Sequence, residues 1–370
     1  MTLFSRIELG PHGEIHGQLY DPVDSGLMLT YSEGKDGQIL EEGITEAGSM
    51  ADFTAAGTAY ATHGAPMIPF FMFYSMFGFQ RVGDMIWAFG DIRGRGFLMG
   101  ATAGRTTLTG EGLQHDDGHS LVLASTVPNL RAYDPAFAYE TAAIVKDGIA
   151  RMYCGPHPED IFYYLTLYNE NFVMPSAPAV ADGSQDLDSR IVRGIYRFSA
   201  APEGPSRRAT ILFSGTGCQA ALEAQRLLAA DHDVGAELWS VTSYKALREE
   251  ALGVERFNRL HPHQPPGTPY VTSALAAAEG PTVAVTDYMK MVPDQVARWI
   301  PGHFTPLGTD GFGRSDTRAA LRRHFETDAA HVVVAVLDGL RACGDGKPEE
   351  VADAIATYGI DAEAPNPLLI

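Results

Sequence analysis

The chain has 370 residues, 45% of them apolar and 20% charged, which is too long for one ordinary core and too apolar for a disordered chain. Its formal net charge of −19 argues against nucleic acid as a partner, because such binding rests on Lys and Arg neutralising phosphates. Cys154, Cys218 and Cys343 are odd in number, far apart and in no CxxC spacing, so the expectation is reduced thiols in the cytoplasm, with no disulfide framework and no zinc site.

The N-terminal stretch MTLFSRIELGPHGEIHG has neither a basic start nor a continuous apolar segment, so no secretion signal is read there. Residues 1–35 read as an irregular lead-in punctuated by Gly and Pro. Asp36 is a plausible N-cap for a helix whose apolar face is Ile39, Leu40, Ile44 and Ala47. The run Met67 to Phe79 is the longest apolar one and is shorter than the roughly 20 residues that a bilayer requires, so no membrane span is expected. It reads as a strand over Met67 to Phe73 followed by a helix through Trp87. Further strands are expected near Phe97 to Gly100, at Ser120 to Ser125 and at Ile161 to Leu167. Asp134-Pro135 opens a helix carrying Tyr139, Ala143 and Ile144.

Pro175 to Ser189, rich in Pro, Ala, Asp and Ser, reads as an interdomain linker, and the domain division places the linker at residues 181–192. A second alternation follows: strands at Thr210 to Phe213, Ala236 to Val241 and Pro281 to Thr286, and helices at Gln219 to Ala230, from an Asp316 cap to Phe325, and at Pro348 to Tyr358. Strands alternating with helices predict layered α/β domains at 36–180 and 193–370.

Two glycine motifs are set aside. Gly308 to Asp316 (GTDGFGRSD) lacks both the full G-x-G-x-x-G order and the Lys of a phosphate loop. Gly344-Asp345-Gly346, with Asn366 later, superficially resembles a metal–diphosphate motif but falls between C-terminal helices. His115, Asp116, Asp117 and His119 are on a glycine-flanked loop without the i, i+4 spacing of a metal-binding helix, so no metal ligand is assigned.

The order of GITEAG with its Glu46, the aromatic run FFMFYSMFGFQR and the loop GLQHDDGHS resembles the pyrimidine-binding domain of thiamin diphosphate enzymes. NLRAYDPAFAYE, NENFVMP, LHPHQPPGTPY, TDYMK and the ending NPLLI extend the match to almost the entire chain. The closest resemblance is to the C-terminal half of the homodimeric, bacterial type of pyruvate dehydrogenase decarboxylating component, within the transketolase-like superfamily. It implies an α/β fold: a thiamin-diphosphate-binding pyrimidine domain of three α/β/α layers, then a transketolase C-terminal-like domain.

The resemblance also implies site roles. Thiamin chemistry needs a carboxylate beside the aminopyrimidine ring in an apolar pocket, where desolvation helps it share a proton, and Glu46 matches that position. Phe77 would pack on the pyrimidine ring, Tyr74 would hydrogen-bond the substrate-derived group, and Ile44 would join Glu46, Phe77 and Tyr74 in contacting the cofactor. His115 would face the substrate, suited to hydrogen bonding or proton transfer near neutral pH. His119 and Glu111 are assigned supporting roles, and Tyr20 to Gly34 a loop that orders over the site.

Members of this family are about twice as long, so the Mg²⁺ ligands and diphosphate site are expected from a partner, an alpha-type subunit of a split enzyme, in a heterotetramer of two plus two. The chain would then decarboxylate a 2-oxo acid and pass the acyl unit to a lipoyl-bearing acyltransferase or carrier protein. Two alternatives stand beside this: transketolase-like transfer of a two-carbon ketol unit from a ketose phosphate, and a non-catalytic assembly or regulatory subunit.

Overall fold

The computed structural model describes residues 4–7, 31–33, 37–40, 42–179 and 186–370. The chain opens with a small parallel sheet in the order β2-β1-β3, formed by β1 (Phe4–Ile7), β2 (Tyr31–Glu33) and β3 (Ile39–Leu40). The helix expected from Asp36 is therefore a correction: Ile39 and Leu40 pair with β1, and the first helix is Glu46–Gly57. Gly43 turns the chain at φ +72°, and Thr45 caps the helix, its hydroxyl accepting from Gly48 N at 3.2 Å. The loop expected over Tyr20 to Gly34 lies outside the described residues apart from β2.

The middle unit is a four-stranded parallel sheet, order β4-β5-β7-β6, with β4 at Phe70–Tyr74, β5 at Phe97–Ala101, β6 at Leu130–Tyr133 and β7 at Phe162–Leu167. Alternate residues go to opposite faces. Phe71, Phe73, Leu98 and Tyr164 pack with Met50, Phe53, Val82 and Phe89 of the helices Glu46–Gly57 and Ser75–Asp91. Phe97, Met99, Tyr163 and Leu165 pack on the other side with Ala143, Ile144 and Met152 of the helix Ala138–Tyr153. These are the three expected layers.

The segment Ser120 to Ser125 is a helix, Ser120–Ala124, where a strand was expected. A short apolar run does not distinguish strand from helix; the carboxylate of Asp117 decides it by accepting from the backbone N–H of His119 (3.0 Å) and Ser120 (2.9 Å). The linker expectation is corrected at its end, since Leu187–Arg193 is helical and Gly194 closes it at φ +107°.

The C-terminal unit is a five-stranded sheet in the order β12-β11-β9-β10-β8. It consists of β8 (Tyr196–Ser199), β9 (Arg207–Phe213), β10 (Val234–Ser240), β11 (Thr282–Val285) and β12 (Phe304–Leu307). All pairs are parallel except β10 with β8. The helix near Asp316 starts one residue later than expected, capped by Thr317 and spanning Arg318–His324. Leu212, Trp239 and Ala284 join the same apolar cluster as Phe71, Leu98 and Tyr164, so one core runs through both units. Among the described residues no helix is long and apolar enough to cross a membrane.

Candidate active site

β4 ends in Tyr74 and passes directly into the helix Ser75–Asp91, which places Phe77 and Arg81, four residues apart, on one helical face. The ring centroids of Tyr74 and Phe77 are 5.9 Å apart. The turn Leu113–His115 brings the His115 ring to 5.3 Å from Tyr74 and, edge-on, to 5.2 Å from Phe77. Arg81 extends the cluster: its guanidinium carbon is 4.0 Å from the Phe77 ring centre, and its Nη1 donates to both Glu46 carboxylate oxygens at 2.9 and 3.0 Å. Four predicted residues, from three separate segments, are thus linked in one chain of contacts.

Glu46 opens its helix, where the unpaired N–H groups favour a negative charge. It does not have the apolar enclosure expected from sequence, because its side chain is 18% exposed and faces the guanidinium. Ile44 touches none of these rings and is 99% exposed. His115 Nδ1 comes within 3.3 Å of Glu111 Oε2 but is out of line for a hydrogen bond. His119 pairs with the Gln80 amide at 2.7 Å and lies beneath, where burial holds its pKa below the usual imidazole value against the pull of Asp117.

The floor of this site is a network that the sequence did not disclose. Asp117 is buried and accepts from the hydroxyls of Ser75 and Ser120, from Tyr288 at 3.0 Å, and from two backbone N–H groups. Ser75 is the first residue of the helix bearing Phe77, so Asp117 ties the His115 loop to the strand–helix junction. The signal available was the paired Asp116-Asp117 of the loop, which admitted a metal reading and a structural one. Among the described residues no group of three or more His, Cys, Asp or Glu could hold a metal ion.

The two units meet along a seam of buried carboxylates. Asp134 accepts from Ser214 and Thr166 at 2.6 Å and from Tyr168 at 2.5 Å. Glu140 accepts from Ser240 and Tyr196 at 2.6 Å and from the backbone of Ala136 and Phe137. Burial raises both carboxyl pKa values and these donors oppose the rise. Gly313, in the loop that joins β12 to the helix Arg318–His324, packs on Asp116 so closely that a side chain there would collide with it.

Two linked α/β units, one with a parallel sheet and one with a mixed sheet, with an aromatic and carboxylate site at the strand–helix junction after β4, define the transketolase-like class of fold. The family model of the pyruvate dehydrogenase E1 component middle domain matches residues 7–175, and that of the transketolase-like C-terminal domain matches residues 194–328. The chain belongs to the pyruvate dehydrogenase E1 component family and corresponds to these portions of it. It is 55% identical over 352 residues to the pyruvate dehydrogenase E1 component of Mycobacterium tuberculosis, covering 95% of this chain and 37% of the relative. The Pseudomonas aeruginosa protein of the same description is 51% identical over 362 residues, covering 98% of this chain and 40% of the relative. The chain therefore spans 37% and 40% of the length of these two relatives.

Among solved structures, a transketolase from Leishmania mexicana superposes with a TM-score of 0.61 at 17% identity, over 92% of this chain and 43% of that one. A split gene transketolase, described as an inactive beta4 tetramer, gives 0.56 at 18% identity, over 82% of this chain and 83% of that one. At these identities the likeness is one of fold.

Proposed function

We propose that this chain supplies the pyrimidine-binding half of a thiamin-diphosphate-dependent pyruvate dehydrogenase active site. The observation that carries the reading is the Glu46–Arg81–Phe77–His115–Tyr74 cluster. A planar N–H donor, the Arg81 guanidinium, already sits over Phe77 and on the Glu46 carboxylate. Those are the two contacts that an aminopyrimidine requires, so the residues fit the group. When bound, thiamin diphosphate supplies the electron sink that decarboxylation of a 2-oxo acid needs.

In this reading Glu46 holds a proton against a ring nitrogen, Phe77 supports the flat ring, and Tyr74 and His115 present polar atoms to the substrate. Ile44 is assigned to the cofactor contact that forms once the other half is in place. Phe70, Met72 and Tyr74 project from the exposed side of the edge strand β4, and Met67 and Ile68 are exposed just before it. An uncharged edge of this kind calls for a covering partner. An alpha-type half bearing the diphosphate and Mg²⁺ ligands would cover it, enclose Glu46 and complete a two-plus-two assembly. The acyl unit would pass to a lipoyl group.

The test is to assay the chain, together with a pyruvate dehydrogenase E1 N-terminal half, for thiamin-diphosphate-dependent turnover of pyruvate and, in parallel, of a ketose phosphate. Pyruvate turnover is the expected result. Turnover of the ketose phosphate alone would move the chain to ketol transfer. Stable assembly without turnover of either would leave a structural subunit.

A further inference from the structure

The His115 loop contains a second buried group that the proposed reaction does not use. Asp116 is 1% exposed, and neither of its carboxyl oxygens has a hydrogen-bond partner among the described residues. Whereas the His115 ring packs on Tyr74 and Phe77, Asp116 packs across the seam. A Cβ placed on Gly313 would lie 2.5 Å from Asp116 Cβ and 2.6 Å from its Oδ2, so the carboxyl rests directly on that glycine.

The charges around it do not balance. Arg105 is buried among Asp116, Asp117, Asp287 and Asp310, its Nη1 is committed to the Thr309 carbonyl, and its Nε has no partner. Asp310 is engaged by Lys290, Asp287 is offset by Arg322, and Glu111 acts on Asp116 from its own loop. An ionised, donor-free carboxylate in such packing is strongly disfavoured, whereas a neutral carboxyl packs without penalty from charge.

We propose that Asp116 is a positioning residue for His115: its neutral form seats the His115 loop against Gly313, and ionisation loosens that loop. The proposal rests on the reading of His115 as an active-site histidine. Burial pushes the Asp116 carboxyl up to about 7, with Asp287 and Glu111 adding to the rise and Arg105 opposing it. A folded-state value above the unfolded one means that the seating is complete below about 4 and is lost as pH rises through about 7. Asp287 is likewise pushed up to about 7, so the effect of Asp116 must be read as a difference between proteins that both retain Asp287.

Hydrogen exchange of the 111–119 segment, followed by mass spectrometry at pH 6 and pH 8.5, reads the loop with no need for turnover. Asp116→Asn keeps the shape and removes the charge; Asp116→Ser serves if the amide variant fails to fold. The expected result is that the ratio of exchange rates, unmodified chain over variant, is about tenfold larger at pH 8.5 than at pH 6. An equal ratio at both pH values would overturn the proposal. Turnover with the partner half should show an alkaline loss that the variant lacks. Absence of turnover in the unmodified chain would count against the proposed function and leave the exchange result to decide Asp116.

Discussion

The seam and the aromatic face both rely on carboxylates but use them in different ways. At the seam, Asp134 and Glu140 are buried and each accepts three or more hydrogen bonds. On the aromatic face Glu46 is partly open and answers to one guanidinium that is itself 49% exposed. Fully satisfied buried carboxylates fix the relation of the two units. The open one is free to exchange partners, which is what a group that handles a proton must do.

This contrast can be broken from either side. The largest stability effect is expected at the seam. Asp134→Ala leaves the hydroxyls of Ser214, Thr166 and Tyr168 without their acceptor, and urea unfolding should show a loss of roughly 3 kcal/mol or more. A loss below about 1 kcal/mol would mean that the seam is not the structural anchor described above.

Beneath the aromatic face the packing is tight although the face is open. A Cβ on Gly78 would stand 2.0 Å from the Phe73 ring, so Gly78→Ala should cost about 1–3 kcal/mol and displace the helix carrying Phe77. Urea unfolding measures the cost, and near-UV circular dichroism measures the aromatic displacement. The smallest stability effect belongs to Arg81→Met, because an exposed pair contributes about 0–1 kcal/mol. A larger loss would show that the Glu46–Arg81 pair is structural.

The same contrast explains what was legible in the sequence. The grouping of Glu46, Tyr74, Phe77 and His115 was legible because they fall in short segments whose order resembles one family, and the fold brings those segments together. The strands β4, β5, β7, β9, β10 and β11 were legible because each is a bounded apolar run. The helix Tyr244–Leu260 was missed despite the strong period of Tyr244, Leu247 and Ala251 and the Ser243 cap. β3 and the helix Ser120–Ala124 were misread because their outcomes depend on tertiary partners, β1 in one case and Asp117 in the other. The seam was not legible, since Asp134 meets Ser214 and Glu140 meets Ser240 across 80 and 100 residues of chain.

The central claim is that Glu46 is the working carboxylate of a half-site. The most direct measurement is thiamin-diphosphate-dependent pyruvate turnover by the chain paired with its partner half, comparing the unmodified protein with Glu46→Gln. The expected result is a loss of about 10²-fold or more in the variant, with assembly and melting temperature retained, because a positioned proton-handling group contributes on that scale. Turnover unchanged by Glu46→Gln would contradict the account.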